Sequence, residues 1–175
     1  LLEWTRRRVV KIVVGSVVKG FALKSVVKDY LEKNGHEVID VGCYDTSVFA
    51  KFPSVAERAA RALQRGEADL GVLCCGSGTG MVLAANKYRG ICAVGAETPL
   101  AAEFGRKVND ANVICMGESL VSSDVACRIV QTFVESRFQD APTIPDHIRA
   151  FWAEARDEIL ARGVEADDRE IEKLQ

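Results

Sequence analysis

A chain of 175 residues, 48% hydrophobic and 27% charged, has enough apolar surface for one full core. Its formal net charge of −2 argues against nucleic acid or an anionic membrane surface as a partner. No run approaches the roughly 18 consecutive apolar residues of a membrane span, and no signal-peptide pattern is present.

Strand-like and helix-like segments alternate along the chain. "RVVKIVVG" (8–15) is a β-branched run, and Arg6, Arg7 and Arg8 read as a solvated arm before it. From Phe21, apolar residues at Leu23, Val26, Val27, Tyr30 and Leu31 keep helical spacing until "KNG" stops them. "HEVIDVG" is the second strand, and "PSVAERAARALQRGEAD" carries Val55, Ala59 and Leu63 along one helical face. "LGVLCCG", "GICAVGA" and "ANVICMG" read as the third to fifth strands, with "MVLAANKY" and "PLAAEFGRKV" as the helices between them. "SSDVACRIVQTFVESRF" is the next helix, capped by Ser123 or Asp124.

Strands that are apolar nearly throughout are covered on both faces, as parallel strands are. The prediction is an α/β fold: a doubly wound five-stranded parallel sheet with helices on both faces, over residues 8–138. "QDAPTIP" (139–145) is a linker. The helix beyond it bears a stripe of Ile148, Phe151, Trp152, Ala155 and Ile159. This extra C-terminal helix, within residues 139–175, either folds back or packs on a partner subunit, and an apolar stripe of this size favours the partner.

The six cysteines, Cys43, Cys74, Cys75, Cys92, Cys115 and Cys127, form no C-x-x-C pair and mostly lie in apolar runs. They read as reduced thiols without zinc-ligand spacing, which makes a cytoplasmic location the expectation.

Ligands bind such sheets beyond the carboxyl ends of the strands. There the sequence reads "LGVLCCGSGTGMVLAANK" (70–87), where three glycines alternate with Ser77 and Thr79 directly after two cysteines. The glycines let backbone N–H groups converge on an anion that develops during reaction, and the start of the following helix adds positive potential. The same setting favours a thiolate at Cys75 that acts as a base. Cys74, one residue back, points to the other face and reads as a buried core residue. Glu97, at the end of the fourth strand, is a candidate second acid–base group. With Gly76, Gly78 and Gly80 it also imitates a dinucleotide fingerprint, but the spacing is G-x-G-x-G rather than G-x-G-x-x-G.

"CGSGTGM" followed by "AANK", then "NDANV" (109–113), with "GHEVIDVG" and "GEADLGVL" upstream, resembles the type B ribose-5-phosphate isomerases and their galactose-6-phosphate isomerase relatives. The resemblance runs from about residue 10 to residue 138. It implies a Rossmann-like sheet, a homodimer with shared active sites, no metal and no nucleotide cofactor. The implied substrate is a sugar or sugar phosphate, and the implied chemistry is aldose–ketose isomerisation through a cis-enediolate. Cys75 then falls on the base, Ser77 on the hydroxyl beside it, and Gly76, Gly78 and Gly80 on the enediolate cradle. Asn109 falls on a polar residue lent by the partner. Phe52, Thr79 and Ser16, at the same edge, complete the candidate substrate-binding set.

The departures from the family pattern are specific. Val17 and Val18 replace an Asp-His pair, Phe52 a tyrosine, Val108 the ring-opening histidine and Ser119 an arginine. The two phosphate-gripping arginines fall near Pro142 and Asp146. Neither His36 nor His147 repairs the loss, and Lys19, Lys51, Arg106 and Arg137 are the cations available. The expectation is an isomerase for a short or open-chain substrate. The alternatives are a non-catalytic paralogue or partner subunit that binds a sugar phosphate and, more remotely, a nucleotide-binding module.

Overall fold

The computed structural model describes residues 9–166; Arg6, Arg7, Arg8 and the tail from 167 lie outside them. Five strands, β1 (Lys11–Ser16), β2 (Glu37–Asp40), β3 (Leu70–Cys75), β4 (Ala93–Gly95) and β5 (Val113–Gly117), form one sheet in the order β2-β1-β3-β5-β4. Every pairing is parallel. The six residues of β3 are all buried, because the sheet is covered on both faces.

Alternate strand residues feed two cores. Ile12, Val14, Val72, Cys74, Ile114 and Met116 pack with α1 (Phe21–Lys33), α4 (Pro99–Asn109) and α5 (Ser123–Glu135). Val13, Leu73, Cys75, Val113 and Cys115 pack with α2 (Phe52–Gln64) and α3 (Thr79–Ala85). Fully buried Phe133, Leu73 and Ile12 each contribute roughly 1.5–3 kcal/mol by leaving water. The expected cap of α5 shifts by one: Ser122 precedes the helix, and Ser123 and Asp124 lie in its first turn.

The topology positions the site. The chain leaves β1 for α1 on one face and leaves β3 for α3 on the other. The carboxyl ends of these neighbouring strands are thus the switch point of the sheet, the place where such folds bind ligands.

The last helix, α6 (Asp146–Leu160), packs against α4, and Arg156 reaches Asp110 at 3.2 Å. Val164 then pairs with Tyr88. The segment therefore folds back on its own chain and half-buries Ile148, Trp152 and Ala155 of the expected stripe. Phe151 and Ile159 remain exposed, at 64% and 46%. Among the described residues no helix is long and apolar enough to cross a membrane.

Candidate active site

Cys75 ends β3 with its side chain on the α2–α3 face, buried to 8% exposure. The turn after it brings the Gly78 N–H back to donate to Cys75 Sγ at 3.0 Å. α3 is only seven residues long, so this direct bond, rather than a long helix dipole, is the favourable electrostatic contact that the structure supplies.

Two glycines make the turn possible. Gly78 sits at φ 80°, and a β-carbon there would stand 3.1 Å from the Met116 carbonyl carbon. At Gly117, the end of β5, a β-carbon would come within 2.7 Å of the Ser77 backbone. The bare end of β5 is therefore what lets the turn nest against the sheet.

The other two cysteines at this level are inert. Burial pushes the Cys74 thiol from 9.0 up to about 12, and burial also pushes Cys115 well above the ordinary thiol value. Neither is a base near neutral pH.

Around the cradle, Ser77 Oγ and Thr79 Oγ1 share a hydrogen bond of 2.8 Å, and both residues are exposed. The Phe52 ring lies against Gly80, 3.4 Å from the position of a β-carbon there. On the other side the Lys19 stem covers Gly76, with Cγ 3.3 Å from the corresponding position. Lys19 Nζ donates to Glu118 Oε1 at 2.9 Å. The Glu118 N–H donates to the Cys75 carbonyl at 2.8 Å, and the Ser119 N–H to that of Gly76 at 3.0 Å. The loops after β1 and β5 thus meet at the end of β3. Gly117 and Glu118 fall at the carboxyl end of the fifth strand, where the sequence places ligand binding, but the sequence assigns neither a role; a glycine closing an otherwise apolar strand was the available signal.

The structure brings Cys75, Gly76, Ser77, Gly78, Thr79, Gly80 and Phe52 together. Ser16 does not join them. It pairs in register with Cys74, is fully buried on that residue's face, and its Oγ has no hydrogen-bond partner among the described residues. Glu97 is exposed after β4, and β5 intervenes between β4 and β3. That places it on the order of 10 Å across the sheet from Cys75. Asn109 is exposed at the end of α4, beside half-buried Val108, at the amino end of the strands. It is on the order of 15 Å along the strand direction from the Cys75 of its own chain.

The candidate cations divide in the same way. Arg106 holds Asp110 and the Ala111 carbonyl, each at 2.8 Å. With Arg137 and His36 it lines a cavity of about 470 Å³ beside Val10 and Leu70, at the amino end of the sheet. His147 is exposed in the first turn of α6. Lys19 and Lys51 remain at the carboxyl end, and Lys19 is the one set against the cradle. Val17 and Val18 are half-buried there, and Val17 packs into the core cluster that contains Cys75.

The ribose/galactose isomerase family model matches residues 12–148. The chain belongs to this family. It is 38% identical over 130 residues to a 4-deoxy-4-sulfo-D-erythrose isomerase of Clostridium sp. (strain MSTE9), covering 74% of this chain and 82% of that protein. It is 31% identical over 134 residues to a D-erythrulose-4-phosphate isomerase of Pectobacterium atrosepticum, covering 77% and 88%. The crystal structure of a ribose 5-phosphate isomerase from Thermotoga maritima superposes with a TM-score of 0.77 at 34% identity, over 86% of this chain and 97% of that one. The fold and membership in a family of sugar-phosphate isomerases are thereby established.

Proposed function

We propose that this isomerase interconverts an aldose and a ketose of four carbons that carries an anionic group at C4, with Cys75 as the base. The observation that carries the reading is the buried Cys75 sulfur bonded by Gly78 N–H inside the glycine turn. Starting from the aldose, the thiolate removes the proton from C2. The C–H electron pair becomes the C1–C2 double bond, and O1 takes the negative charge. Backbone N–H groups of the turn face this enediolate, and each such donor is typically worth roughly 2.7–4 kcal/mol in the transition state. The O2 proton passes to O1 through the Ser77–Thr79 hydroxyl pair. The thiol then returns its proton to C1, which leaves the ketone at C2.

The choice of a four-carbon substrate rests on what is apolar. Val17, Val18 and Val108 carry no proton for opening a sugar ring. A tetrose whose C4 oxygen is esterified or replaced by sulfonate lacks the hydroxyl needed to close a furanose. It therefore needs no ring-opening acid. The relatives that act on sulfoerythrose and erythrulose 4-phosphate support this assignment.

The working unit of this reading is a homodimer. Asn109 cannot reach the Cys75 of its own chain, so it would serve the partner's thiol. Exposed Leu83, Leu100, Phe104 and Phe151 supply apolar surface for an interface.

The test is turnover of erythrose 4-phosphate, 4-deoxy-4-sulfo-erythrose, ribose 5-phosphate and galactose 6-phosphate in parallel. Isomerisation of the two tetroses, with the cyclic sugars about 100-fold or more slower, is the expected result. Equal turnover of ribose 5-phosphate would overturn the substrate assignment. Inactivity on all four would favour a binding-only subunit, the reading that Val108 supports.

A further inference from the structure

Of the candidate cations at the carboxyl end of the sheet, Lys19 is the one set against the glycine turn, where it can meet the anionic end of a substrate. We propose that it does so, and that it exchanges its Glu118 partner for the C4 phosphate or sulfonate when substrate enters. This rests on the reading of the site as a tetrose isomerase.

Three observations point to Lys19. Its stem is packed over Gly76, the residue directly after Cys75, with Cγ 3.3 Å from the β-carbon position. The ammonium is already held by a carboxylate, Glu118 Oε1 at 2.9 Å, so an anion of similar geometry can replace that contact. The Lys19 side chain is 65% exposed while that of Glu118 is 21% exposed, so the ammonium is the member of the pair that can turn to an incoming anion.

Glu118 gives the arrangement its second function. Its backbone N–H donates to the Cys75 carbonyl, which places Glu118 beside the end of β3. The Lys19 ammonium, hydrogen-bonded to it, holds the Glu118 carboxyl below the ordinary glutamate range. Glu118 therefore stays ionised near neutral pH and competes with an incoming anion. The pair selects for a strongly anionic terminus over a neutral hydroxymethyl group.

Calorimetric binding of erythronate 4-phosphate and of unphosphorylated erythronate tests this apart from turnover, because neither acid reacts. The wild-type enzyme should bind the phosphorylated acid more tightly. Lys19→Met should weaken that binding about tenfold or more, and Lys51→Met should leave it within about twofold. Glu118→Gln should tighten it several-fold by removing the competitor, and Lys19→Arg should restore most of the affinity lost in Lys19→Met. Unchanged affinity in Lys19→Met would overturn the assignment. So would an equal loss for both acids, or no preference of the wild-type enzyme for the phosphorylated one. Inactivity of the wild-type enzyme on tetroses, with these binding results intact, would instead remove the proposed reaction and leave Lys19 as the anion receptor.

Discussion

The Gly78 amide donates to the Cys75 sulfur across 3.0 Å, so the backbone of the turn and the candidate base form one unit. Cys74, its neighbour in sequence, lies in the opposite core with its thiol pushed up to about 12. Two adjacent cysteines thus have different chemistry because strand alternation puts them on different faces.

Replacing them separately should show this. Cys75→Ser should lower kcat about 1,000-fold or more while the fold and its unfolding midpoint stay close to wild type. Cys74→Ser should do the reverse. It buries an unsatisfied hydroxyl, costs about 1–3 kcal/mol of stability, and leaves kcat within a few-fold. Steady-state kinetics beside urea unfolding separates the two outcomes, and a fully active Cys75→Ser enzyme would remove the thiol from the mechanism.

Gly78→Ala should damage both properties. The new β-carbon meets the Met116 carbonyl carbon at 3.1 Å, and the φ of 80° is strained for alanine. A loss on the order of 1–3 kcal/mol is expected from such strain. Relief of the strain by a shift of the turn would move the N–H off the sulfur. Residual activity should therefore fall further than stability alone explains, as measured at a temperature where the variant is still folded.

Stability should fall at alkaline pH. The Cys74 thiol has its folded value raised from 9.0 to about 12, with burial as the main cause. The unfolded chain releases this proton near pH 9 while the folded chain keeps it, so the unfolded state binds fewer protons in that window. Between about pH 9 and 12 the unfolding free energy should drop by up to about 1.4 kcal/mol per pH unit for this thiol. Cys115, shifted in the same direction, adds to the slope. Urea titrations at several pH values should show a shallower decline for Cys74→Ala, and an unchanged slope would contradict the linkage.

The sheet was legible because each strand is a short apolar run between turn residues, and parallel strands buried on both faces have that pattern. The Cys75 turn was legible because its glycines and hydroxyls are contiguous. Ser16 was misplaced because the end of β1 can be read from sequence, but which face its last residue takes depends on register with β3. Glu97 looked adjacent to the site because strand order is not local information. β5, last in sequence, inserts between β3 and β4. The Lys19–Glu118 contact joins residues 99 positions apart, and neither flanking segment signals it.

The proposed homodimer, with each site shared between subunits, makes a prediction for mixed enzymes. Cys75→Ala and Asn109→Ala should each be inactive alone. Unfolded together and refolded, random pairing should yield one intact site in each heterodimer, or about a quarter of wild-type activity. No recovery, or a stable monomer by sedimentation at micromolar concentration, would place the whole site within one chain.

Proton exchange at C2 of the aldose, or at C1 of the ketose, tests the central claim most directly. In deuterium oxide, NMR of erythrulose 4-phosphate or erythrose 4-phosphate with the wild-type enzyme should show deuterium entering at the carbon beside the carbonyl. The Cys75→Ala enzyme should leave the spectrum unchanged. Exchange at equal rates in both enzymes would contradict the account, because proton transfer would then occur without the thiol.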